Sequence, residues 1–182
     1  MRARLATMAV SSMLAGMTVQ AWGADASTPP AASRFPPLTL DQLNVDQPPL
    51  GGQIMRVSSI GLGGPHGPLL RSPVLGQRMF DLRYYLRWNS SVPLRLNEFA
   101  ILIVDRQRRS QVEWFAHGSL AITAGLSAEV VADLKAQNRP GNMKLDEAVV
   151  YDFVTELSTT HQVSESTFAR AKQVLGDSRG SI

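Results

Sequence analysis

The sequence reads LRLNEFAILIVDRQR over residues 94–108. Its centre, Phe99 to Val104, is an unbroken apolar run that would cover nearly every side of a helix. A helix with that pattern is buried on most of its faces. A β-strand over residues 100–104 is the competing interpretation, but no turn signal lies close enough to bound a hairpin. The stretch therefore predicts a buried helix.

Further helical patterns lie on both sides of this stretch. Before it, Ser72-Pro73 is a helix start signal, and apolar residues then recur at helical spacing: Val74, Leu75, Met79, Leu82 and Leu86. After it, Gly125 is a helix-ending glycine, and Ser127 and Ser164 are N-terminal caps. The predicted helices cover residues 73–88, 94–108, 110–123, 128–135, 145–158 and 165–175. The sequence thus predicts an all-α fold of about six helices.

Residues 1–24 have the pattern of a secretory signal peptide. Arg2 and Arg4 form a basic head, about 15 uncharged and largely apolar residues follow, and small residues at Gly23 and Ala24 fit a cleavage site. An uncleaved anchor or a buried helix is the alternative, but the apolar run is shorter than the roughly 20 residues that a spanning helix needs. We therefore expect cleavage near Gly23-Ala24, a periplasmic or secreted protein and no stable membrane anchor after cleavage.

Two stretches rich in proline and glycine precede the predicted helices. Residues 25–59 are rich in proline, which disfavours helix, and predict an extended N-terminal segment. Residues 61–68 carry four glycines and two prolines. A phosphate-binding loop is excluded there, because no strand precedes it and no Gly-Lys-Ser/Thr ends it. We expect a flexible or tightly turned segment at this point, and a helical domain over residues 60–182.

Composition excludes several classes of protein. The net charge of +3 is small and scattered, which does not favour a nucleic-acid partner. The 182 residues include no cysteine, so a disulfide framework, a thiolate nucleophile and a cysteine-based metal site are excluded. Only three histidines are present, and we expect no metal and no organic cofactor. Two of them, His66 and His161, are predicted to be plain surface residues.

The candidate chemistry lies in and before the helix over residues 110–123. Glu113 and His117 are four residues apart, which places them on one helix face with Cβ atoms roughly 6 Å apart. A carboxylate beside an imidazole orients the ring and favours its charged form, as proton transfer requires. Glu98 is the third member, placed just before the buried run. The alternative is a surface ion pair that contributes only about 0.2–0.5 kcal/mol.

Three stretches carry a resemblance to a known family. They are LRLNEFAIL at 94–102, QVEWFAH at 111–117 and AGLS at 124–127. Together with residues 68–73, 146–148 and 163–168, they make the sequence resemble the carboxymuconolactone decarboxylase family, which includes the AhpD-like alkylhydroperoxidases. The resemblance covers about residues 60–176.

The resemblance implies a small all-helical subunit that forms homotrimers or homohexamers, with active sites near the subunit contacts. The peroxidase branch uses a Cys-x-x-Cys pair, and Ser110 and Glu113 stand at those two positions here. Thiol peroxidase chemistry, and a peroxiredoxin label, are therefore excluded. The order Glu-Trp-x-x-His, from Glu113 to His117, is similar to the decarboxylase branch.

For that branch the resemblance implies decarboxylation or isomerisation of a small lactone or carboxylated ring compound, without a cofactor. His117 would be the general acid, Glu113 would orient and charge it, and Glu98 would complete the relay. Trp114 is a candidate substrate-binding residue. Arg71 or Arg95 would hold a substrate carboxylate, because a guanidinium can bind one through two hydrogen bonds. The alternative for each arginine is an ordinary ion pair or a helix-end contact.

Two departures from the family pattern favour a second hypothesis. Export does not suit a step of intracellular ring catabolism. In addition, relatives continue past residue 177 into a further apolar helix, whereas the sequence here ends DSRGSI. Without that helix we expect exposed apolar faces on the helices over residues 94–108 and 145–158. The alternative is thus a non-catalytic exported member of the family with a binding or structural role.

Overall fold

All regular elements in residues 35–58 and 60–176, the part that this computed structural model describes, are helical. A short 3-10 turn at Leu40–Gln42 precedes the α-helices. In chain order these are α1 Pro48–Val57, α2 His66–Leu70, α3 Pro73–Trp88, α4 Leu94–Arg108, α5 Gln111–Thr123, α6 Ala128–Lys135, α7 Leu145–Thr160 and α8 Glu165–Leu175. The prediction of an all-α fold is confirmed. The predicted signal peptide, the start of the extended segment and residues 177–182 lie outside the described residues.

Helix α4 is the centre of the larger of two hydrophobic clusters. Phe99 and Leu102 are fully buried, and Ile103 nearly so. The helix packs against α5 and α7, and also contacts α6. Its burial on these sides explains why the apolar run continues around the helix. The buried members of this cluster are Leu96, Phe99, Leu102, Ile103, Ala121, Leu126, Val130, Leu134 and Val150.

Local signals set the ends of the helices, as the sequence predicts. Ser127 accepts a hydrogen bond from the backbone N–H of Glu129 at the start of α6. Ser164 does the same for Thr167 at the start of α8. Gly125 follows α5 with φ of 98°, a left-handed conformation that favours glycine. α4 ends at Arg109, which takes the left-handed conformation with φ of 56°. The turn at Arg109 places α5 directly after α4.

Two helices, α1 and α2, were not predicted. α1 lies in the segment predicted to be extended, and its Leu50 and Ile54 are buried in the second hydrophobic cluster. Its two prolines, Pro48 and Pro49, occupy the first turn, where the missing N–H leaves no helical hydrogen bond unmade. Residues 48–57 are therefore part of the helical unit. The extended prediction was wrong for them.

The second cluster also holds the glycine-rich stretch in place. α2 begins at His66 within that stretch, and its Leu70 is fully buried. The Leu70 carbonyl accepts a hydrogen bond of 2.7 Å from Nε2 of Gln47, the residue that precedes α1. The buried members of the cluster are Leu50, Ile54, Leu62, Leu70 and Phe80. The glycine-rich stretch thus holds His66 at a defined position next to α3.

Helix α3 has the predicted bounds but not an inward apolar face. Its buried residues are Gly76 and Phe80. All five residues of the predicted apolar pattern are exposed: Val74, Leu75, Met79, Leu82 and Leu86. The backbone of α2 lies so close to Gly76 that a Cβ there would be 2.2 Å from the Leu69 carbonyl oxygen. The face of α3 that carries Gly76 packs against the rest of the protein. The five apolar residues therefore lie on the exposed face of the helix.

Within the part of the chain that is described, no helix has the combination of length and apolar character needed to cross a lipid bilayer.

We expect Gly76→Ala to lower the free energy of unfolding by about 2 kcal/mol or more, because the new methyl group overlaps the Leu69 backbone. Gly52→Ala is the matched control in α1, where the nearest atom, Nη1 of Arg56, is 3.9 Å from the new Cβ. It should leave stability unchanged or raise it by about 1 kcal/mol. Urea unfolding of both variants measures the difference. Equal stability of the two would contradict the packing of α2 on α3.

Candidate functional site

The site is organised by a buried carboxylate, that of Glu98 in the first turns of α4. Its exposed fraction is 1%. Oε2 lies 2.7 Å from Nδ1 of His117, which comes from α5. Oε1 lies 2.6 Å from Nη2 of Arg87, which comes from the last turn of α3. A charge buried in this way is costly unless opposite charge and hydrogen bonds compensate it. Glu98 therefore joins three helices at one point.

His117 lies between two carboxylates. Its Nδ1 is bound to Glu98, and its Nε2 lies 3.4 Å from Oε2 of Glu113, one turn earlier on α5. Nη1 of Arg87 also lies 3.3 Å from Nδ1. Nδ1 can either donate to the carboxylate or accept from the guanidinium, and the shorter contact favours donation to Glu98. Nε2 is then the nitrogen available for proton exchange.

Arg87 is less solvated than an ordinary arginine. Burial lowers the pKa of its guanidinium, and the carboxylate of Glu98 partly offsets this effect. An arginine nevertheless stays protonated in a protein. Its guanidinium also lies over the ring of Trp88, 4.9 Å from the centroid. Arg87 is thus a fixed positive charge against Glu98.

Two neighbouring pockets, called lobes here, open at these residues. The larger lobe, named here the apolar lobe, has a volume of about 480 Å³ and apolar walls from Met79, Leu82, Leu86 and Ile101. The other, named the small lobe, has a volume of about 60 Å³, and His66, Phe80, Tyr84 and Trp88 are among its walls. Both lobes are lined by the same four charged or titratable residues: Arg83, Arg87, Glu113 and His117. His117 therefore lies at the wall of an apolar chamber.

The structure brings Glu98, Glu113 and His117 together, but it places the three predicted substrate-binding residues elsewhere. Arg71 donates to the carbonyl oxygens of Gly67 at 3.0 Å and Pro36 at 2.9 Å. Arg95 pairs with Asp146 at 2.5 Å and with Glu147. Trp114 packs against the larger hydrophobic cluster. None of the three lines either lobe.

The arginines that line the two lobes belong to α3, whereas Arg71 or Arg95 was expected there. Arg83 and Arg87 are four residues apart and line both lobes. One sequence signal could have found them, because like charges at this spacing repel each other and need a reason to persist. The need of the predicted buried Glu98 for a counter-charge is a second signal.

His66 was predicted to be a surface residue, and this prediction was wrong. Its exposed fraction is 2%, and among the described residues its Nδ1 has no hydrogen-bond partner. Burial, and then the positive charge of Arg83, lower the pKa of His66 to about 4. The imidazole is therefore neutral at pH 7. His161 is exposed, as predicted, and follows α7 in a left-handed conformation.

Asp105 is a second buried carboxyl group of α4, two turns beyond Glu98. Burial raises its pKa to about 6; His117 opposes the rise, while Glu113 and Glu98 add to it. In the described part of the chain its Oδ2 has no hydrogen-bond partner. Asp105 lines an apolar groove of about 520 Å³ between α4, α7 and α8. This groove lies on the two helices whose faces were expected to be exposed.

The described residues contain no group of three or more His, Asp or Glu side chains that could hold a metal ion. Comparisons of the chain with protein-family models, with curated proteins and with solved structures find no match.

Replacement of Asp105 by Asn should stabilise the protein increasingly as the pH rises. The folded-state pKa of about 6 lies above the ordinary value of 3.8 for an aspartate, so the folded state holds the proton more tightly. Protonated Asp105 contributes fully to the free energy of unfolding of the wild type below pH 4. This contribution is lost as the pH rises through 6. Asp105→Asn should therefore gain up to about 3 kcal/mol over wild type between pH 4 and pH 7.

Urea unfolding at half-unit pH steps measures this gain. A difference between the two proteins that stays constant with pH would contradict the buried, unpaired state of Asp105.

Proposed function

We propose that this protein is an exported acid–base catalyst, similar to the carboxymuconolactone decarboxylase family, that acts on a small lactone or carboxylated ring compound. The reaction is decarboxylation or isomerisation without a cofactor. The observation that carries the proposal is the position of His117, which is bound to Glu98 at 2.7 Å and lies at the wall of an apolar chamber. Histidine held by a carboxylate is the commonest arrangement for proton transfer.

In the proposed decarboxylation, the bond between the ring carbon and the carboxyl carbon breaks and carbon dioxide leaves. The electron pair stays on the ring carbon, and Nε2 of His117 gives that carbon a proton. Water then returns a proton to the imidazole through Glu113, whose carboxylate lies 3.4 Å from Nε2. Glu98 holds Nδ1 and stabilises the positive charge that the ring carries before it gives up the proton. Glu98 and Arg87 are positioning residues, because they act through His117.

The walls of the apolar lobe support a homo-oligomer, either a homotrimer or a homohexamer. Met79, Leu82 and Leu86 of α3 are exposed and line this lobe. Phe115 of α5, with an exposed fraction of 82%, is a further exposed apolar residue, outside both lobes. Apolar patches of this kind are typical of protein contacts. A neighbouring subunit would close the lobe, which agrees with active sites near subunit contacts.

A non-catalytic binding or structural role is the second proposal. It is favoured by the apolar groove of about 520 Å³ that stays open between α4, α7 and α8 in the described residues. Under this proposal the contacts of His117 stabilise the fold and do no chemistry. Mutation of the site then changes stability alone.

His117→Ala should lower turnover about a hundredfold, the usual contribution of a general acid. Turnover is measured as carbon dioxide release from a panel of lactone and ring carboxylates. His161→Ala is the matched control, since His161 is exposed and lies outside both lobes. Unchanged turnover in His117→Ala would sink the catalytic role. Loss of stability in a protein without measurable turnover would favour the binding role.

Light scattering on a size-exclusion column should show a discrete trimer or hexamer for the chain from Asp25 onward. Leu82→Glu should reduce its mass to that of a monomer, because it places a charge in the exposed apolar stripe of α3. Leu145→Glu is the control, since Leu145 is an exposed apolar residue at the start of α7. A monomeric or polydisperse wild type would rule out the proposed assembly.

A further inference from the structure

The small lobe contains a buried polar group that the proposed reaction does not use. His66 lines this lobe, and Nδ1 of its neutral ring has no hydrogen-bond partner within the described residues. A buried polar atom without a partner destabilises the fold. His66 thus places an imidazole, the Nδ1 of which is unpaired among the described residues, at the wall of the small lobe.

Arg83 is the charged neighbour of His66. It lines both lobes and is close enough to His66 for its charge to lower the pKa of that ring. Arg83 is exposed, and in the described part of the chain it makes no hydrogen bond and no ion pair. Arg87, by contrast, is committed to Glu98 at 2.6 Å. Of the two arginines in the pocket, Arg83 is therefore the one whose charge is available to a ligand.

The sizes of the two lobes restrict what can bind. The small lobe, at about 60 Å³, holds a few water molecules or a group of similar size. The apolar lobe, at about 480 Å³, is within the range of pockets that bind small molecules. A ligand that fills both has a compact polar group at one end and an apolar ring at the other. His117 lines both lobes.

We propose that Arg83 and His66 form a carboxylate-binding subsite in the small lobe, which selects ring acids whose apolar body occupies the apolar lobe. The guanidinium of Arg83 supplies the charge, and the imidazole of His66 adds one neutral hydrogen bond. The subsite takes the role that the sequence assigned to Arg71 or Arg95. Its use in catalysis rests on the proposed function, but the binding of the acid does not.

Titration of the full chain with benzoate, followed by calorimetry, tests the subsite without any turnover. Benzoate has a carboxylate on a small apolar ring, and benzamide is its uncharged counterpart. We expect benzoate to bind at least tenfold more tightly than benzamide, and Arg83→Gln to weaken benzoate binding tenfold or more, because a charge-assisted hydrogen bond is lost. Arg78→Gln is the matched control, an exposed arginine of the same helix that lines neither lobe.

A second variant separates the hydrogen bond from the charge. His66→Phe should weaken benzoate binding severalfold and leave benzamide binding nearly unchanged. Because His66 is buried, this variant can fail to fold, whereas Arg83 is exposed and its variant keeps the test decisive. No binding of benzoate to wild type, equal affinity for benzamide, or equal effects of Arg83→Gln and Arg78→Gln would each overturn the subsite.

The outcome for the subsite is distinguishable from that for the proposed function. If no ring carboxylate is turned over but benzoate binds in an Arg83-dependent way, the subsite stands and the catalytic proposal fails. If His117→Ala abolishes turnover while Arg83→Gln leaves both KM and benzoate affinity unchanged, the catalytic proposal stands and the subsite fails.

Discussion

A single buried carboxylate, that of Glu98, joins the packing of three helices to the candidate site. It lies on the central helix α4, and its two oxygens contact Arg87 of α3 and His117 of α5. Near this point the side-chain amide of Asn97 donates to the Leu86 carbonyl at 2.7 Å, so the same junction joins the two hydrophobic clusters. Loss of either partner would leave one oxygen of this buried carboxylate without its contact, which is destabilising. Stability therefore constrains these three residues independently of any reaction at the site.

Sequence reasoning succeeded where the signals are local. The buried run of α4, the glycine after α5, and the serine caps of α6 and α8 depend on neighbouring residues alone. The sequence does not predict α1 and α2, because proline and glycine usually interrupt helices. In α1, however, Pro48 and Pro49 lie in the first turn. Proline weakens a helix interior and favours a helix start, and composition does not separate these two cases. The missing information was the position of each proline within its helix.

The site shows the same division between local and long-range information. Helical spacing placed Glu113 beside His117, and burial of the run after it placed Glu98 on the inside. The arginines could not be placed, because Arg95 finds its acidic partners, Asp146 and Glu147, about fifty residues later in the chain. The outward stripe of α3 is a related case. Apolar periodicity shows that a helix has an apolar face, but not whether the same chain covers it.

The close contact between Gly76 and the backbone of Leu69 has a consequence for recognition. It fixes the corner between α2, which carries His66, and α3, which carries Arg83. The two backbones cannot separate or rotate without opening the second hydrophobic cluster. A ligand that spans these residues meets a preorganised frame and spends little of its binding energy on ordering the chain. Gly76, the smallest residue of α3, thereby fixes the relative position of α2 and α3 at this corner.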